Sequence, residues 1–345
     1  MKKLFLSLVS LSAALFLMTA SAQNYRVALA DNAPQRGDVN GDSSIDIDDV
    51  TDLIAYILGD RLEPFSIAAA NVDGDPEGLI DVDDVTVLIG YILSTMVLPP
   101  EKESFTVNGV TFTMVTVEGG TFTMGATAEQ EGDARSNEYP AHQVTLSTYS
   151  IGETEVTQAL WHAVMGSNPS YFSVANGYSY HMSHPVENVS WDDCQEFINK
   201  LNELTGRQFR LPTEAEWEFA ARGGNHSQGF KYSGSNDIDE VAWFFDNSFA
   251  VGTQNPNYGT HAVVTKNANE LGIYDMSGNA LEWVQDWYDS YSSDAQTNPT
   301  GPDSGTYRVA RGGDWGNVAS VARVSNRSTY NPTAKSSYRG MRLAL

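Results

Sequence analysis

Oxygen-bearing side chains recur in two stretches of the chain at the spacing of a calcium-binding loop. In the first stretch, loop positions 1, 3, 5, 7, 9 and 12 are held by Asp38, Asn40, Asp42, Ser44 through its carbonyl, Asp46 and Asp49. In the second, which has two extra residues, the same positions are held by Asn71, Asp73, Asp75, Leu79 through its carbonyl, Asp81 and Asp84. Calcium takes six to eight oxygen ligands at about 2.3 to 2.6 Å. We therefore predict two calcium sites, the second weaker because Asn71 carries no charge.

Each loop is followed by a segment with helical periodicity. Residues 46–59 and 81–94 share ten identities in fourteen positions at an offset of 35, which indicates an internal duplication. Apolar side chains recur at i, i+3, i+4, i+7 and i+8 in both copies, as Val50, Leu53, Ile54, Ile57, Leu58 and as Val85, Leu88, Ile89, Ile92, Leu93. This spacing predicts an amphipathic helix after each loop. A merely solvated acidic surface is the alternative, but it does not explain why the acids repeat before matching helices.

The repeat resembles a type I dockerin, a module of two calcium-loop-and-helix repeats that docks onto cohesin domains. The resemblance covers residues 36–94, with GDVNGDSSIDIDDVTDLIAYILG as its most specific stretch. It implies a small all-α domain over residues 36–98 and a cohesin-like or other protein partner. Cohesin-binding dockerins often carry a hydroxyl pair at loop positions 10 and 11, where this chain has Ile47-Asp48 and Val82-Asp83. The partner is then an unusual cohesin, or the module acts within its own chain.

A second, larger region follows a short charged linker that begins at Pro99. Ser190 with Asp193 predicts a capped helix over residues 191–204, and Thr213 with Glu216 predicts another through Arg222. A third helix is predicted over residues 156–165. Alternating apolar residues predict strands over residues 110–117 and 143–151. We expect an α+β domain with much irregular structure.

Few residues of this region have the spacing of a catalytic motif. The sequence contains no G-x-S-x-G, Walker loop, H-E-x-x-H or C-x-x-C. His181 and His184 could pair on zinc, but no further ligand cluster accompanies them, so we interpret them as polar or turn residues. Cys194 lies in an amphipathic helical pattern, which predicts a buried structural thiol. No pair of acids is marked out for glycoside hydrolysis.

The ordered blocks GGTFTMG, PVENVSW, FRLPTEAEWEFAARGG, LGIYDMSGNALEWVQDWY, RVARGGDW and YRGMRLAL resemble the formylglycine-generating enzyme family, also called sulfatase-modifying factors. The resemblance covers residues 112–345 and implies a domain over residues 105–345 with an irregular α+β fold related to C-type lectins. In active members of the family, two cysteines after a GG-S-[WY] block bind copper and oxidise a sulfatase cysteine to formylglycine.

An ungapped match puts other residues at these active-site positions. Asn317 and Ala322 stand at the two cysteine positions, and Asp314 stands where the family has its serine. Without a thiolate there is no soft ligand for copper(I) and no thiol for the redox step. We therefore expect no bound copper and no formylglycine-generating activity. The enzymatic alternative is that some oxidation of a sulfatase or another substrate survives with a thiol supplied by a partner.

The resemblance also implies metal and ligand sites. A calcium site is implied at Asp275, the carbonyls of Gly278 and Ala280, and Glu282, and this donor set suits a hard cation. The alternative is that the two acids cap a turn. The resemblance implies that the family's other calcium site is degraded in this chain, because Trp243 stands where its asparagine ligand would be.

A binding face in place of the oxidase groove is predicted at Asp314, Trp315, Asn317, Arg323 and Arg327. Arginines beside aromatic rings can stack and can bind carboxylates or sulfate. Internal ion pairing of the two arginines is the alternative interpretation.

Charge and composition exclude some functions. The 345 residues include 20 Lys and Arg against 44 Asp and Glu, a net charge of −24, which argues against binding nucleic acid through its phosphates. A single cysteine excludes an internal disulfide. Lys2 and Lys3, an apolar run and Ala20-Ser21-Ala22 predict a signal peptide over residues 1–22, cleaved after Ala22. The run is shorter than the ~20 residues of a membrane span, so we expect a secreted or periplasmic protein without one.

The leading hypothesis from the sequence is an exported, calcium-binding, non-oxidase member of this family. Its lectin-like domain would bind a protein or glycan, and the dockerin-like repeat would tether it in a larger assembly. A further alternative is a variable ligand-binding protein, because residues 311–345 resemble the variable end of lectin-fold proteins diversified by retroelements.

Overall fold

The computed structural model describes residues 36–42, 44–59, 65–75, 78–92, 100–130, 132–178 and 182–345. The predicted signal peptide and His181 lie outside the described residues. The described residues form two compact units, one of residues 36–73 with 78–92 and one of residues 100–345. Over these ranges, no helix has the length and apolar character needed to cross a membrane.

The smaller unit is helical. Its helices are α1 (Ile47–Ile57), α2 (Ile67–Ala70) and α3 (Val82–Ile92). The predicted helix after each acidic loop is therefore confirmed. Equivalent residues of the two copies meet in one core, where the most deeply buried pairs are Val39 with Val72, Val50 with Val85, and Leu53 with Leu88. The duplicated halves thus bury each other's apolar faces, which neither short helix could do alone.

The larger unit contains three open sheets within its described residues. In chain order the strands are β1 (Lys102–Val107), β2 (Val110–Val117), β3 (Gly120–Met124), β4 (His142–Leu146), β5 (Tyr149–Gly152), β6 (Leu281–Trp287), β7 (Gln296–Thr297), β8 (Arg308–Arg311), β9 (Ser328–Tyr330) and β10 (Arg339–Met341). The sheet orders are β1-β2-β5, β3-β4-β7 and β10-β6-β8-β9. Strand β10 pairs with β6 in parallel, whereas β6 pairs with β8 antiparallel.

Helices α4 (Gln158–Met165), α5 (Trp191–Thr205), α6 (Glu214–Ala221) and α7 (Ile238–Val241) connect these strands. Both predicted capping boxes are confirmed, at Ser190 for α5 and at Thr213 for α6. Helix α4 begins two residues later than predicted because the Thr157 side chain caps it. The α+β class expected from the sequence is confirmed.

The strand predicted over residues 143–151 is wrong in one respect, because the segment forms two strands of different sheets. Residues His142, Val144 and Leu146 are buried, and then Tyr149 and Ile151 are buried, so the alternation shifts by one residue. The shift falls at Ser147, whose backbone N–H donates to Asn298 Oδ1 at 2.8 Å. This corner turns the chain from β4 to β5.

Strand β6 lies between two hydrophobic clusters. Trp283 packs in one cluster with Trp161 and Phe197, whereas its neighbour Val284 packs in the other with Trp217. Adjacent side chains of a strand point to opposite faces, so β6 is buried on both sides. The rigid position of β6 fixes the turn over residues 275–280 that precedes it.

Candidate functional site

The turn before β6 has a conformation that only particular residues adopt. Asp275, Gly278 and Asn279 have φ values of 60°, 81° and 58°. A Cβ atom on Gly278 would lie 2.3 Å from the carbonyl oxygen of Trp243, so only glycine fits there. The sequence Asp-Met-Ser-Gly-Asn thus sets a tight loop against Trp243.

Three buried carboxylates surround this turn. Asp275, Glu282 and Glu155 are 3%, 0% and 1% exposed. Glu155 accepts hydrogen bonds from Asn279 Nδ2 and the backbone N–H of Ala280, both at 2.8 Å. Asp275 accepts one from the backbone N–H of Val264 at 3.0 Å.

One guanidinium, that of Arg342, forms an ion pair with this cluster. Arg342 Nη2 lies 2.7 Å from Glu282 Oε1, and Trp217 Nε1 donates to Glu282 Oε2 at 2.6 Å. Burial raises the pKa of Asp275 to about 6. Burial, and next the charges of Asp275 and Glu282, raise the pKa of Glu155 well above its ordinary range. Three carboxylates that share one guanidinium require protons or a further cation.

Sequence reasoning missed Glu155, because this residue is 124 positions from Asn279. The predicted ligand Glu282 is turned toward Arg342 and Trp217, so Asp275 and Glu155 are the carboxylates that a cation could share with the turn. Over the described ranges, no group of three or more His, Cys, Asp or Glu side chains is arranged to hold a metal. Calcium at this site stays a prediction.

The two acidic loops of the smaller unit share one hydrogen-bond pattern. Asp49 accepts from the backbone N–H groups of Val39 and Asp46, each at 2.8 Å. Its equivalent, Asp84, accepts from Val72 at 2.5 Å and from Asp81 at 2.8 Å. In both copies the last acid of the loop therefore joins the start of the loop to its end.

Hydrogen bonds to the side chains of other predicted ligands hold the first loop in a tight turn. The backbone N–H of Asp42 donates to Asp38 Oδ1 and Asn40 Oδ1, at 3.1 and 3.0 Å. The N–H of Ser44 donates to Asp42 Oδ1 at 2.8 Å. Burial raises the pKa of Asp49 to about 6, with a smaller contribution from the charge of Asp38. The structure brings the first-loop acids together, and calcium binding by either loop stays a prediction.

Trp315 lies at the centre of an aromatic cluster. The Trp315 ring stacks on Tyr338 at 4.7 Å between ring centroids, and Phe172 and Tyr258 meet it edge-on at 5.1 Å. We call Phe172, Phe249, Tyr258, Trp315 and Tyr338 the Trp315 cluster. It reaches the surface through Tyr171, which packs on Phe172 and is 47% exposed.

The Asp314 carboxyl is nearly enclosed beside this cluster. It is 3% exposed, and its Oδ1 accepts a hydrogen bond from the backbone N–H of Gly316 at 2.9 Å. Burial raises the pKa of Asp314 to about 7. The backbone N–H of half-buried Asn317 donates to the Asp314 carbonyl at 2.9 Å. Three of the five predicted ligand-binding residues therefore lie together.

The other two predicted ligand-binding residues do not line this face. Arg323 is 0% exposed and bonded to Glu138, and Arg327 is 3% exposed and bonded to Glu214. A guanidinium held by a buried carboxylate is not available to a ligand, so the prediction for these two arginines is corrected to internal ion pairs.

Cys194 and Trp243 also have defined surroundings. Cys194 is 0% exposed in α5, and burial raises the pKa of its thiol well above the ordinary value, which confirms the predicted structural thiol. The Trp243 ring stacks on His261 with 3.6 Å between ring centroids, and its Nε1 donates to Thr265 Oγ1. A ring stack thus occupies the position of Trp243, and the loss of a calcium site there stays a prediction.

The open sheets, the irregular connections and the Asp-Met-Ser-Gly-Asn turn define an α+β domain of the formylglycine-generating-enzyme type, related to C-type lectins. The sequence model of the sulfatase-modifying factor enzyme 1-like domain matches residues 101–345. The chain belongs to this family.

Proteins with sequences similar to this chain have several different names. The chain is 33% identical over 272 residues to "Chaperone protein LppX" of Paenibacillus barcinonensis, covering 67% of this chain and 88% of that protein. It is 31% identical over 271 residues to "Serine/threonine-protein kinase Pkn1" of Chlamydia trachomatis, covering 71% of this chain but only 40% of that protein. It is 28% identical over 285 residues to the formylglycine-generating enzyme of Streptomyces coelicolor, covering 67% and 88%.

Solved structures share the fold. "Treponema denticola variable protein 1" aligns with a TM-score of 0.61 at 33% identity, covering 71% of this chain and 99% of that one. PvdO from Pseudomonas aeruginosa aligns with a TM-score of 0.54 at 27% identity, covering 67% and 93%.

Proposed function

We propose that this protein is an exported, calcium-binding member of the family that binds a ligand and does not oxidise it. The observation that carries the proposal is the chemistry at the family's active-site positions. In the ungapped match Asn317 and Ala322 stand at the two cysteine positions, and Ala322 is fully buried. Neither an amide nor a methyl group can carry the redox step or bind copper(I).

The remaining thiol does not replace the missing pair. Cys194 is enclosed in α5, and burial raises the pKa of its thiol, so the reactive thiolate is disfavoured. A partner that supplies a thiol is the remaining route to oxidation, and this is the enzymatic alternative.

The surface over the Trp315 cluster is the proposed binding face, and its ligand is a protein or a glycan. Exposed Tyr171 and the half-buried rings of Tyr258 and Tyr338 form this face. Trp315 itself is buried and supports them. Tyrosine and tryptophan rings supply rigid contact area with a polar edge, which suits both ligand classes. Asp314 and Asn317 provide hydrogen-bonding groups beside the rings. The names of two similar proteins, a chaperone and a variable protein, agree with a binding role rather than an oxidase role.

The smaller unit is the proposed tether. Two equivalent acidic loops, each joined by Asp49 or Asp84, precede helices that share one core. Calcium in these loops would neutralise their mutual repulsion, as in a dockerin, and leave the outer helix faces for a cohesin-like or other partner. The predicted signal peptide would export the chain to the secreted or periplasmic space.

An oxidation assay tests the non-oxidase part. Purified protein is incubated with copper, oxygen and a sulfatase-motif peptide, and formylglycine is measured by mass spectrometry beside an active family enzyme. We expect no conversion by this protein. Conversion that Cys194→Ser abolishes would overturn the proposal.

A binding assay tests the ligand face separately. The protein is applied to glycan and peptide arrays as wild type, as Tyr171→Ala and as Tyr307→Ala. Tyr171 and Tyr307 are 47% and 48% exposed, so the two variants remove similar surface area. We expect only Tyr171→Ala to lose the captured ligand. Equal loss in both variants, or no loss in either, contradicts this binding face.

The name of the Treponema protein favours one second candidate, a variable ligand-binding protein. A reverse transcriptase gene and a template repeat beside this gene would support it. Sequencing of the gene from related isolates would then show substitutions concentrated in residues 311–345.

A further inference from the structure

A cavity of about 380 Å³ opens between the start of α6, the end of β6 and the loop over residues 289–302. Its volume lies within the range of small-molecule sites, roughly 300 to 1,000 Å³. Its walls include the side chains of Glu214, Asp286 and Arg327, each at most 5% exposed. Neither the Trp315 cluster nor the predicted calcium ligands line it.

Asp286 is the least compensated charged group in this wall. Its Oδ2 accepts a hydrogen bond from the backbone N–H of Glu214 at 2.8 Å, and among the described residues this is the one donor to the carboxyl. Burial, and next the charge of Glu214, raise the pKa of Asp286 to about 8. A buried carboxylate gains stability from a paired cation.

The guanidinium in the cavity wall, that of Arg327, is already paired with Glu214. Arg327 Nε lies 2.6 Å from Glu214 Oε1, and Arg327 Nη2 lies 2.7 Å from Glu214 Oε2. Burial raises the pKa of Glu214, but Arg327 and Arg311 outweigh burial and hold it below its ordinary value. The Glu214–Arg327 pair is therefore neutral as a unit, and among the described residues no cationic side chain lies within ion-pair distance of Asp286. The Arg308 guanidinium, which stacks on Trp191 and Trp287, acts on the Asp286 carboxyl electrostatically from a greater distance.

Two further groups at the cavity, His142 and Asp289, offer acceptors to a ligand. His142 Nδ1 lies 3.1 Å from the carbonyl oxygen of Pro140, which can only accept, so Nδ1 holds the proton and Nε2 is an acceptor. Exposed Asp289 adds a second carboxylate at the rim. The cavity is thus complementary to a ligand that carries positive charge and several N–H donors.

We propose that this cavity binds a small organic cation, an ammonium or guanidinium group whose charge pairs with the Asp286 carboxylate. Charge-assisted hydrogen bonds of this kind are about twice as strong as neutral ones. The surrounding loop supplies Gln296 and Thr300 as further polar contacts.

Binding is coupled to a proton. At neutral pH the Asp286 carboxyl keeps its proton, and the cation favours the ionised form, so the proton leaves to the buffer. The charged groups that act on this carboxyl are Glu214, Glu216, Arg327 and Arg308, and Asp289 and His142 line the same cavity. Because the cation pairs with the ionised form of the Asp286 carboxyl, affinity rises with pH up to about 8.

Isothermal titration calorimetry of the full chain tests the proposal, with calcium and ionic strength held constant. The probes are n-butylammonium and agmatine, and n-butanol is the neutral control. We expect both cations to bind and n-butanol not to bind. Titration at pH 7 in two buffers of different ionisation enthalpy should show release of a proton.

Asp286→Asn keeps an oxygen for the Glu214 N–H and removes the charge. We expect it to weaken cation binding about tenfold or more. Asp294→Asn is the matched control, since it removes the same charge from an exposed position of the same loop outside the cavity lining. Equal affinity in Asp286→Asn and wild type, or equal binding of n-butanol, overturns the proposal. If Asp286→Asn does not fold, absence of proton release by wild type overturns it.

Discussion

Arg323 and Glu138 form a two-point ion pair inside the larger unit. Nη1 lies 2.8 Å from Oε2 and Nη2 lies 2.6 Å from Oε1, across 185 positions of sequence. Both side chains are 0% exposed, and Ser325 Oγ also donates to Glu138. The pair joins the short helix Ser136–Glu138 to the segment that follows Ala322.

We predict that Arg323→Ala lowers the free energy of unfolding by about 3 to 5 kcal/mol, because it leaves the Glu138 charge buried and unpaired. The measurement is urea denaturation. Lys200→Ala, which removes an exposed pair with Glu196, is the control and should cost less than about 1 kcal/mol. Equal stability of the two variants would show that Arg323 does not hold this segment.

Asp314 should make stability fall as pH rises toward neutral. The pKa of this carboxyl is raised in the folded protein, from 3.8 to about 7. Between these values the folded protein keeps a proton that the unfolded chain has lost, so its contribution is complete below about pH 4 and is lost by about pH 7. The difference amounts to on the order of 4 kcal/mol.

The variant Asp314→Asn tests the direction of this pH dependence. The amide resembles the protonated acid, so the variant should match wild type at pH 4 and exceed it at pH 8 in guanidinium denaturation. Burial also raises the pKa of Glu187 to about 7, so this carboxyl titrates in the same range. Its contribution to stability is the same in both proteins and cancels when they are compared. A variant with the same pH slope as wild type contradicts the assignment.

Calcium should stabilise the smaller unit through Asp49. Asp49→Asn keeps an acceptor for the Val39 N–H and removes one ligand charge. We expect wild type to melt at a higher temperature in calcium than in chelator, and this difference to shrink in the variant. The readout is circular dichroism of the full chain. Asp52→Asn, in the same helix α1, should keep the full difference.

Gly278 should tolerate no side chain. Gly278→Ala forces a left-handed backbone, at about 1 to 2 kcal/mol, and also drives a methyl group into the Trp243 carbonyl, which costs about 1 to 3 kcal/mol more. Gly229→Ala is the matched control, because Gly229 has φ 71° but open space around it. Thermal unfolding compares the two, and similar midpoints would exclude the steric argument.

Local signals predicted the elements that depend on neighbouring residues. Ser190 and Thr213 mark the two capped helices, because a capping box is formed within four residues. The corner at Ser147 was missed, since it depends on Asn298, 151 positions away. Hydrophobic periodicity and helix capping are properties of one segment of sequence. The passage of the chain from one sheet to another depends on residues far away in the sequence.

The sequence likewise identified only those parts of the candidate site that depend on neighbouring residues. Asp314, Trp315 and Asn317 lie close in sequence and in space, so an alignment of motifs finds them. Arg323 looks like a binding residue until Glu138 is known to lie beside it. The charge balance of a buried group is set by residues that sequence spacing does not reveal.

The parallel pairing of β10 with β6 has a consequence for the order of biosynthesis. Strand β6 is central, yet its neighbour β10 and the Glu282 counterion Arg342 are translated more than fifty residues later. Until those residues leave the ribosome, the nascent chain holds an unpaired acid in its future core and an open strand edge. A chain that ends before residue 339 would therefore keep an open strand edge and an unpaired acid, and we expect proteases to cleave it more readily than the full chain.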